Sequence, residues 1–448
     1  ADQKWKNLSA NFNYRRILDT TGKELTADLD YINYNQRNRT SLINSYFDAY
    51  GDPTAMPDTL YGGLPQDISV YSGKMDYLRP IKGGGRIEAG IKSSVARTDN
   101  DAGYDSLVNG EIRHDFNRSN HFVYEENINA AYVSMNKPLN KKWGSQVGLR
   151  VENTNAKGNQ MTTGEQFNRH YTQLFPTAYL QYTANKKNTL TLNYGRRIRR
   201  PDYQALNPFI NFIDRYTYQQ GNPNLKPQFS HNVELSHSFK NMIITTLNYT
   251  RTTDIIQSVL EQNEEKNETY MKRQNIANQR QFGLSVSLQN NFAKWWKSSI
   301  YLNVFNNKFN GLVNNTMISV DATTFTMNGS QQFTLSKTFN AEINGFYRSG
   351  AIEGVIVAKP MGAVSMGFTK QIMKSNGTLR LNFRDIFYSQ KFRGESKYSN
   401  IDAAFQERRD SRSVTLGFSY RFSKGKMNGN GPKRRASSAA DEQSRIGN

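Results

Sequence analysis

The chain has 448 residues, with 58 Lys plus Arg against 38 Asp plus Glu, a formal charge of +20. It has no Cys, which excludes a disulfide framework and a thiolate zinc site, and no apolar run long enough for a membrane-spanning helix. Hydrophobic residues make up only 36%, yet there are 25 Tyr and 25 Phe, too many aromatics for a disordered chain. Two classes stay open: a basic nucleic-acid binder, or a membrane β-barrel in which only alternate residues meet lipid.

Residues Ala1 to Asn7 lack the apolar stretch of a signal peptide. From there the pattern has a period of two. Leu8, Ala10, Phe12 and Tyr14 alternate with Ser9, Asn11, Asn13 and Arg15, and Leu25, Ala27, Leu29 and Tyr31 follow. Further along come Ile87, Ala89 and Ile91, then Val147, Leu149 and Val151, then Leu190, Leu192 and Tyr194. Leu247 and Tyr249, Leu284 and Val286, Leu302 and Val304, and Leu379 and Leu381 continue it. The last segment, Arg412 to Ser423, sets Val414, Leu416, Phe418 and Tyr420 against Ser413, Thr415, Gly417 and Ser419. Such alternation marks strands with one apolar and one polar face. Many segments reach the ~9–11 residues of a tilted membrane strand. The period-two rows and the lack of a basic helix argue against nucleic acid.

Connections alternate in length. Short polar turns are expected at 20–23, 82–85, 137–142, 184–188, 239–241, 292–294, 337–340 and 374–377. Long polar loops are expected at 36–66, 100–121, 155–172, 200–230, 252–273, 306–321, 349–361 and 389–411. This is the plan of an outer-membrane barrel with short periplasmic turns and long extracellular loops. Trp143, Trp295 and Trp296 flank short turns, where an interfacial aromatic girdle belongs. The expected fold is therefore an all-β transmembrane antiparallel barrel over residues 1–423, with about 17 strands. An odd count with a descending first strand means either that one strand is missed or that upstream strands are absent; against the 22 strands of large plugged transporters about five are then missing, along with whatever fills the lumen. Residues 424–448, rich in Lys and Arg, read as a flexible basic periplasmic tail.

The stretch Arg196-Arg197-Ile198-Arg199-Arg200-Pro201-Asp202-Tyr203-Gln204-Ala205-Leu206-Asn207-Pro208-Phe209 and the stretch Tyr216 to Pro227, "YTYQQGNPNLKP", stand out. With "GLRVENTN" ending at Asn155 and "FRDIF" at Phe383–Phe387, they resemble the TonB-dependent-receptor-like outer-membrane barrels. The resemblance implies a barrel around an N-terminal plug, with TonB reached through the plug. Neither plug nor TonB-contacting segment is recognised in this sequence.

His114, His121, His170, His231 and His237 show no zinc spacing, and no hydrolase or P-loop motif occurs. No enzyme activity, metal or cofactor is expected. Parity places Arg197 and Arg199 toward the lumen and Arg196 and Arg200 outward near the rim. Outward arginines suit lipopolysaccharide phosphates, inward ones an anionic ligand or the plug, and all four suit simple snorkelling to water. Carboxylates such as Glu125 and Glu126 read as loop or strand-end groups. Thr59 in Asp58-Thr59-Leu60 and Ser106 in Asp105-Ser106-Leu107 resemble an O-glycosylation tripeptide. The leading expectation is an outer-membrane receptor that binds or imports a large extracellular ligand. The alternative is a structural barrel subunit of an outer-membrane assembly or secretion complex, with other outer-membrane or periplasmic subunits as partners.

Overall fold

The computed structural model describes residues 2–422 and 437–446, apart from 109, 215, 266, 314, 315 and 399. Seventeen strands follow one another as an unbroken antiparallel series. They are Asp2–Ile17, Glu24–Phe47, Pro53–Ile81, Gly85–Val108, Asn120–Pro138, Trp143–Gln160, Gln166–Asn185, Asn188–Arg199 and Gln228–Phe239. Then come Ile243–Asn263, Glu268–Ala293, Trp296–Val313, Thr316–Ser336, Phe339–Arg348, Met361–Ile372, Gly377–Arg384 and Ser413–Tyr420. Three short strands, Glu111–His114, Ile210–Phe212 and Thr217–Gln220, join this sheet at its long-loop end. A separate four-stranded sheet forms from Ala351–Glu353, Ile356–Ala358, Phe392–Tyr398 and Ile401–Glu407.

All eight short turns fall where the polar breaks place them, and their chemistry explains why. Asp19 accepts from the backbone N–H groups of Thr21 (3.0 Å) and Lys23 (3.2 Å). Asn140 does the same for Lys142 (2.8 Å) and Trp143 (3.0 Å), and Asn185 for Lys187 (2.9 Å) and Asn188 (3.0 Å). These side chains mimic a backbone turn and stop the strand. The turn at 82–84 uses glycine instead. Gly83 and Gly84 have φ of +82° and +76°, a left-handed pair that glycine adopts without strain inside the three-residue loop between the paired Ile81 and Gly85.

The long loops differ from expectation. Most are strands continuing past any membrane thickness: Glu24–Phe47 and Pro53–Ile81 run together to the five-residue bend 48–52. At roughly 3.4 Å per residue, Pro53–Ile81 extends far beyond the ~9–11 residues a bilayer needs. Polar side chains do not end a ladder, and here it continues even through Pro57, Gly62-Gly63 and Pro65.

Burial is inverted relative to a soluble protein. On Glu24–Phe47, Asp28 and Asp30 are 6% and 7% exposed while Leu29 between them is 58% exposed. Cross-strand register lines the outer residues into a band. Leu180, Leu192, Leu235, Leu247, Leu284, Val304 and Phe325 are successive partners across seven strands. Trp143 stacks on Tyr182 at 4.6 Å, and Trp295 and Trp296 pack near Phe333 beside the turn at 294–295. Among the described residues, Asp2–Ile17 pairs only with Glu24–Phe47, and Ser413–Tyr420 only with Gly377–Arg384.

The inner surface encloses a core. Ile32, Ile68, Val70, Phe122 and Tyr124 of the wall pack with Tyr203, Leu206 and Leu225 of the 200–227 connection. Ala439 and Ile446 belong to the same core, which corrects the expectation of a free periplasmic tail for residues 437–446. Their apolar groups and matched charges remove them from water, as described below. The rest of that expected tail, 424–436 and 447–448, lies outside the described residues.

Candidate functional site

The lumen is lined by the polar parity, so charged groups face each other across it. A cavity of about 930 Å³ opens among Asp28, Lys74, Glu88, Arg150, Glu152 and Arg197. Both signs of charge are interspersed. Tyr132 donates to Glu88 at 3.1 Å and Arg150 pairs with Glu152 at 3.0 Å.

The 200–227 connection folds over this lumen rather than away from it. Its single helical turn, Tyr203–Leu206, buries Tyr203 and Leu206. The Asn222 N–H donates to the Ala205 carbonyl at 2.7 Å, drawing the "LNPF" and "GNPNLKP" segments together. Gly221 is required there, because a Cβ would lie 1.7 Å from the Asn207 carbonyl oxygen. Arg169 donates to the carbonyls of Pro223 (2.7 Å) and Leu225, and Arg273 pairs with Asp202 at 2.6 Å. The strand Thr217–Gln220 then runs parallel to Glu268–Ala293. Tyr218 donates to Glu268 at 3.2 Å; burial, reinforced by that carboxylate, pushes its hydroxyl up to about 12.

A second cavity of about 510 Å³ lies under this fold on the long-loop side. Its lining is rich in amides, including Gln36, Asn38, Asn100, Asn207 and Gln220, with Arg273 at its margin. Asn100 is 1% exposed. Among the described residues both of its amide atoms, the Asn38 Oδ1 and the Asn207 Oδ1 have no hydrogen-bond partner. Buried amides in that state cost about 1–3 kcal/mol each until a partner arrives.

The arginine cluster does not act as a unit. Arg199 ends its strand, so parity stops governing Arg200. The chain turns at Pro201 and carries Arg200 into the lumen, where it donates to Glu152 at 2.8 Å and Thr154 at 3.1 Å. This corrects its outward assignment. Arg196 sits where the ladder between Gln166–Asn185 and Asn188–Arg199 ends at Thr177 and Gly195. It donates to the Leu174 carbonyl and to Gln173, both at 2.7 Å, and lies over Phe175 and Phe229. Arg197 and Arg199 are exposed.

Thr59 and Ser106 sit in paired strands, not in loop tips. Thr59 is buried and faces Leu107, while Ser106 faces Leu60 and donates to Asp115 at 3.3 Å. All five histidines have polar neighbours, for example His121 with Asp99 at 2.9 Å and His231 with the Tyr194 hydroxyl at 3.0 Å. Among the described residues no three potential ligands gather to hold a metal ion.

Glu126 departs from its loop-or-strand-end reading. It lies inside Asn120–Pro138, only 4% exposed, and accepts from the Tyr124 hydroxyl at 2.8 Å. Its parity, opposite to that of the apolar Val133 and Met135, is the sequence signal that would have placed it in the lumen. The "FRDIF" segment also has a structural core. Asp385, fully buried, accepts from Ser411, from the Ser389 N–H (2.9 Å) and from the Gln390 N–H (3.1 Å). The outer four-stranded sheet is pinned by Tyr398, whose hydroxyl bonds both the Leu260 N–H (2.8 Å) and the Leu260 carbonyl. Burial pushes that hydroxyl up to about 12.

Residues 16–420 match the model of the outer membrane protein beta-barrel family. No curated protein sequence matches the chain. Among solved structures, it is similar to the ferric-catecholate import receptor Fiu from E. coli K12, at 11% identity and a TM-score of 0.63. That alignment covers 94% of this chain and 64% of the receptor. The copper transporter OprC is similar at 12% identity and a TM-score of 0.64, covering 94% and 66%. The ferric citrate transporter FecA is similar at 10% identity and a TM-score of 0.64, covering 94% and 62%. The chain thus spans less than two thirds of the length of each, and at these identities the likeness is one of fold.

Proposed function

Because the chain belongs to the outer membrane protein beta-barrel family, we propose that it forms the wall of an outer-membrane receptor for a large extracellular ligand. The amide-lined cavity carries this reading. It lies on the long-loop side, and the partnerless amide of Asn100 and the partnerless Oδ1 of Asn207 offer hydrogen bonds that a ligand completes. The similar structures include a ferric-catecholate import receptor, a ferric citrate transporter and a copper transporter, which makes metal complexes the first class to test. In this reading the long-loop end is extracellular and the short turns are periplasmic. The wall closes with further strands, because an open edge in lipid leaves backbone groups unsatisfied at several kcal/mol each. A total near 22 strands and a plug contacting TonB fit a transporter of this size. The exposed Arg197 and Arg199 are available to an anionic ligand.

Accumulation of ferric catecholate, ferric citrate and copper is compared in cells with the gene intact, deleted, or carrying Asn100→Leu. A receptor predicts uptake that depends on the gene and on the proton-motive force, and that falls at least tenfold in Asn100→Leu. Gene-independent uptake of all three, with partner subunits co-purifying at fixed ratio, would instead favour the structural-subunit reading. The two one-sided edges are the observation that keeps that second reading open.

A further inference from the structure

The segment Ser437–Ile446 meets the lumen at three anchors. The Ser438 N–H donates to Asp30 at 2.7 Å, and its hydroxyl bonds Asp30 and Ser72 (3.0 Å). Glu442 pairs with Lys92 at 3.1 Å and accepts from Ser94 at 2.6 Å. Arg445 forms a two-nitrogen ion pair with Glu126 and donates to the Pro201 carbonyl at 3.0 Å. Its guanidinium lies 4.3 Å over the Tyr203 ring, and its own carbonyl accepts from the Tyr203 N–H at 3.0 Å.

These anchors stand at i, i+4 and i+7, one face of a helical turn. A turn does form there, Ala440–Gln443. Their partners come from four neighbouring wall strands and from the 200–227 connection. Charge alternates in register: Asp30, Lys92 and Glu126 on the wall meet an N–H, a carboxylate and a guanidinium on the segment. Glu442 and Arg445 are 2% and 6% exposed. Burying charges this deeply is tolerated only when each is paired and hydrogen-bonded. Ala439 and Ile446 add apolar contact. The last strand ends at the short-turn end of the sheet, where Tyr420 pairs with Gly377.

We propose that the lumen contains a peptide-binding site, formed by Asp30, Lys92, Ser94, Glu126 and Tyr203, whose ligand is the chain's own C-terminal segment. Ser437, Ser438, Asp441 and Glu442 line the 930 Å³ lumenal cavity, so the docked segment and a plug would compete for this part of the lumen. This holds whatever ligand the outer cavity takes.

The test uses the full-length gene product in lipid nanodiscs, and residues 1–448 carry no native Cys. Ala439→Cys, fully buried in the docked segment, is probed with a polymer-linked maleimide. Docking predicts labelling at least tenfold slower than for the same Cys after urea unfolding. Adding Glu126→Gln should restore fast labelling. The double exchange Glu126→Arg with Arg445→Glu should return part of the protection. Separately, Ser72→Cys with Ser438→Cys should form a disulfide on mild oxidation, because the two hydroxyls are 3.0 Å apart. Heat-modifiable gel migration confirms that each variant is folded. Fast labelling of Ala439→Cys in folded protein, or labelling indifferent to Glu126→Gln, would overturn the proposal.

Discussion

Val133 and Glu126 lie seven residues apart on one strand and face opposite ways. Val133 is half exposed toward the lipid side, in an alternating row with Met135. Glu126 is nearly fully buried, tied to Tyr124 and Arg445. The outer face is uniform: any aliphatic residue serves, because lipid asks only for apolar surface. The inner face is particular: each charge needs one partner, often from a distant part of the chain. A wall residue is therefore replaceable by class, and a lumen residue only by matching chemistry. That contrast can be broken or sharpened experimentally.

The largest effect should come from violating the outer rule. Leu247 sits mid-row, between Leu235 and Leu284. Leu247→Arg should cost about 2–4 kcal/mol of folding free energy if it lies near the bilayer mid-plane. Asn248→Arg, on the polar parity, should cost well under half of that. Urea titrations of folding into lipid vesicles measure both, and equal losses would mean the faces are misassigned.

The same contrast explains what could be read from sequence. The outer face repeats every second residue, so strands, turns and the apolar band are visible without coordinates. The 3.6-type face of Ser438, Glu442 and Arg445 was also present, but one turn is too short to register as a helix. Its partners are as much as 408 positions away, as Ser438 is from Asp30, and no periodicity announces such a match. Parity misdirects Arg200 because the last paired position of its strand is Arg199. The ladders on the long-loop side look like loops in sequence because they are polar and carry Gly62-Gly63 and Pro65, yet the pairing continues through them.

A smaller effect should follow at the boundary between the two regimes. Gly221 lets the 200–227 connection fold back on itself above the lumen. Gly221→Ala places a methyl against the Asn207 carbonyl, where backbone must move, and should cost about 1–3 kcal/mol. The loss should stay local. Hydrogen exchange should accelerate at Asn222 and Leu225, whose N–H groups bond within the connection, and stay unchanged in the row around Leu247. Uniform acceleration would show that the connection and wall unfold together.

The smallest effect should be a pH dependence at the loop end, where a buried charge is held by hydrogen bonds alone. Burial by itself would raise the Asp385 carboxyl. The bonds from Ser411, Ser389 and Gln390 outweigh it and hold the carboxyl below its ordinary value of 3.8. A carboxylate lowered in the folded state stabilises fully above its unfolded value and loses that contribution as pH falls through the folded one. The 385–411 connection should therefore be firm at neutral pH and loosen below about pH 4. Limited pepsin digestion across pH 2–5, scored at that connection, reads this directly once pepsin's own pH profile on an unfolded substrate is divided out. Asp385→Asn keeps the shape but accepts through one oxygen and cannot ionise. Its cleavage should be faster at pH 5 and nearly flat across the range. A variant that kept the parent's acid-side slope would show that another group governs this end, and that hydrogen bonds without a counter-charge do not suffice to hold a buried carboxylate there.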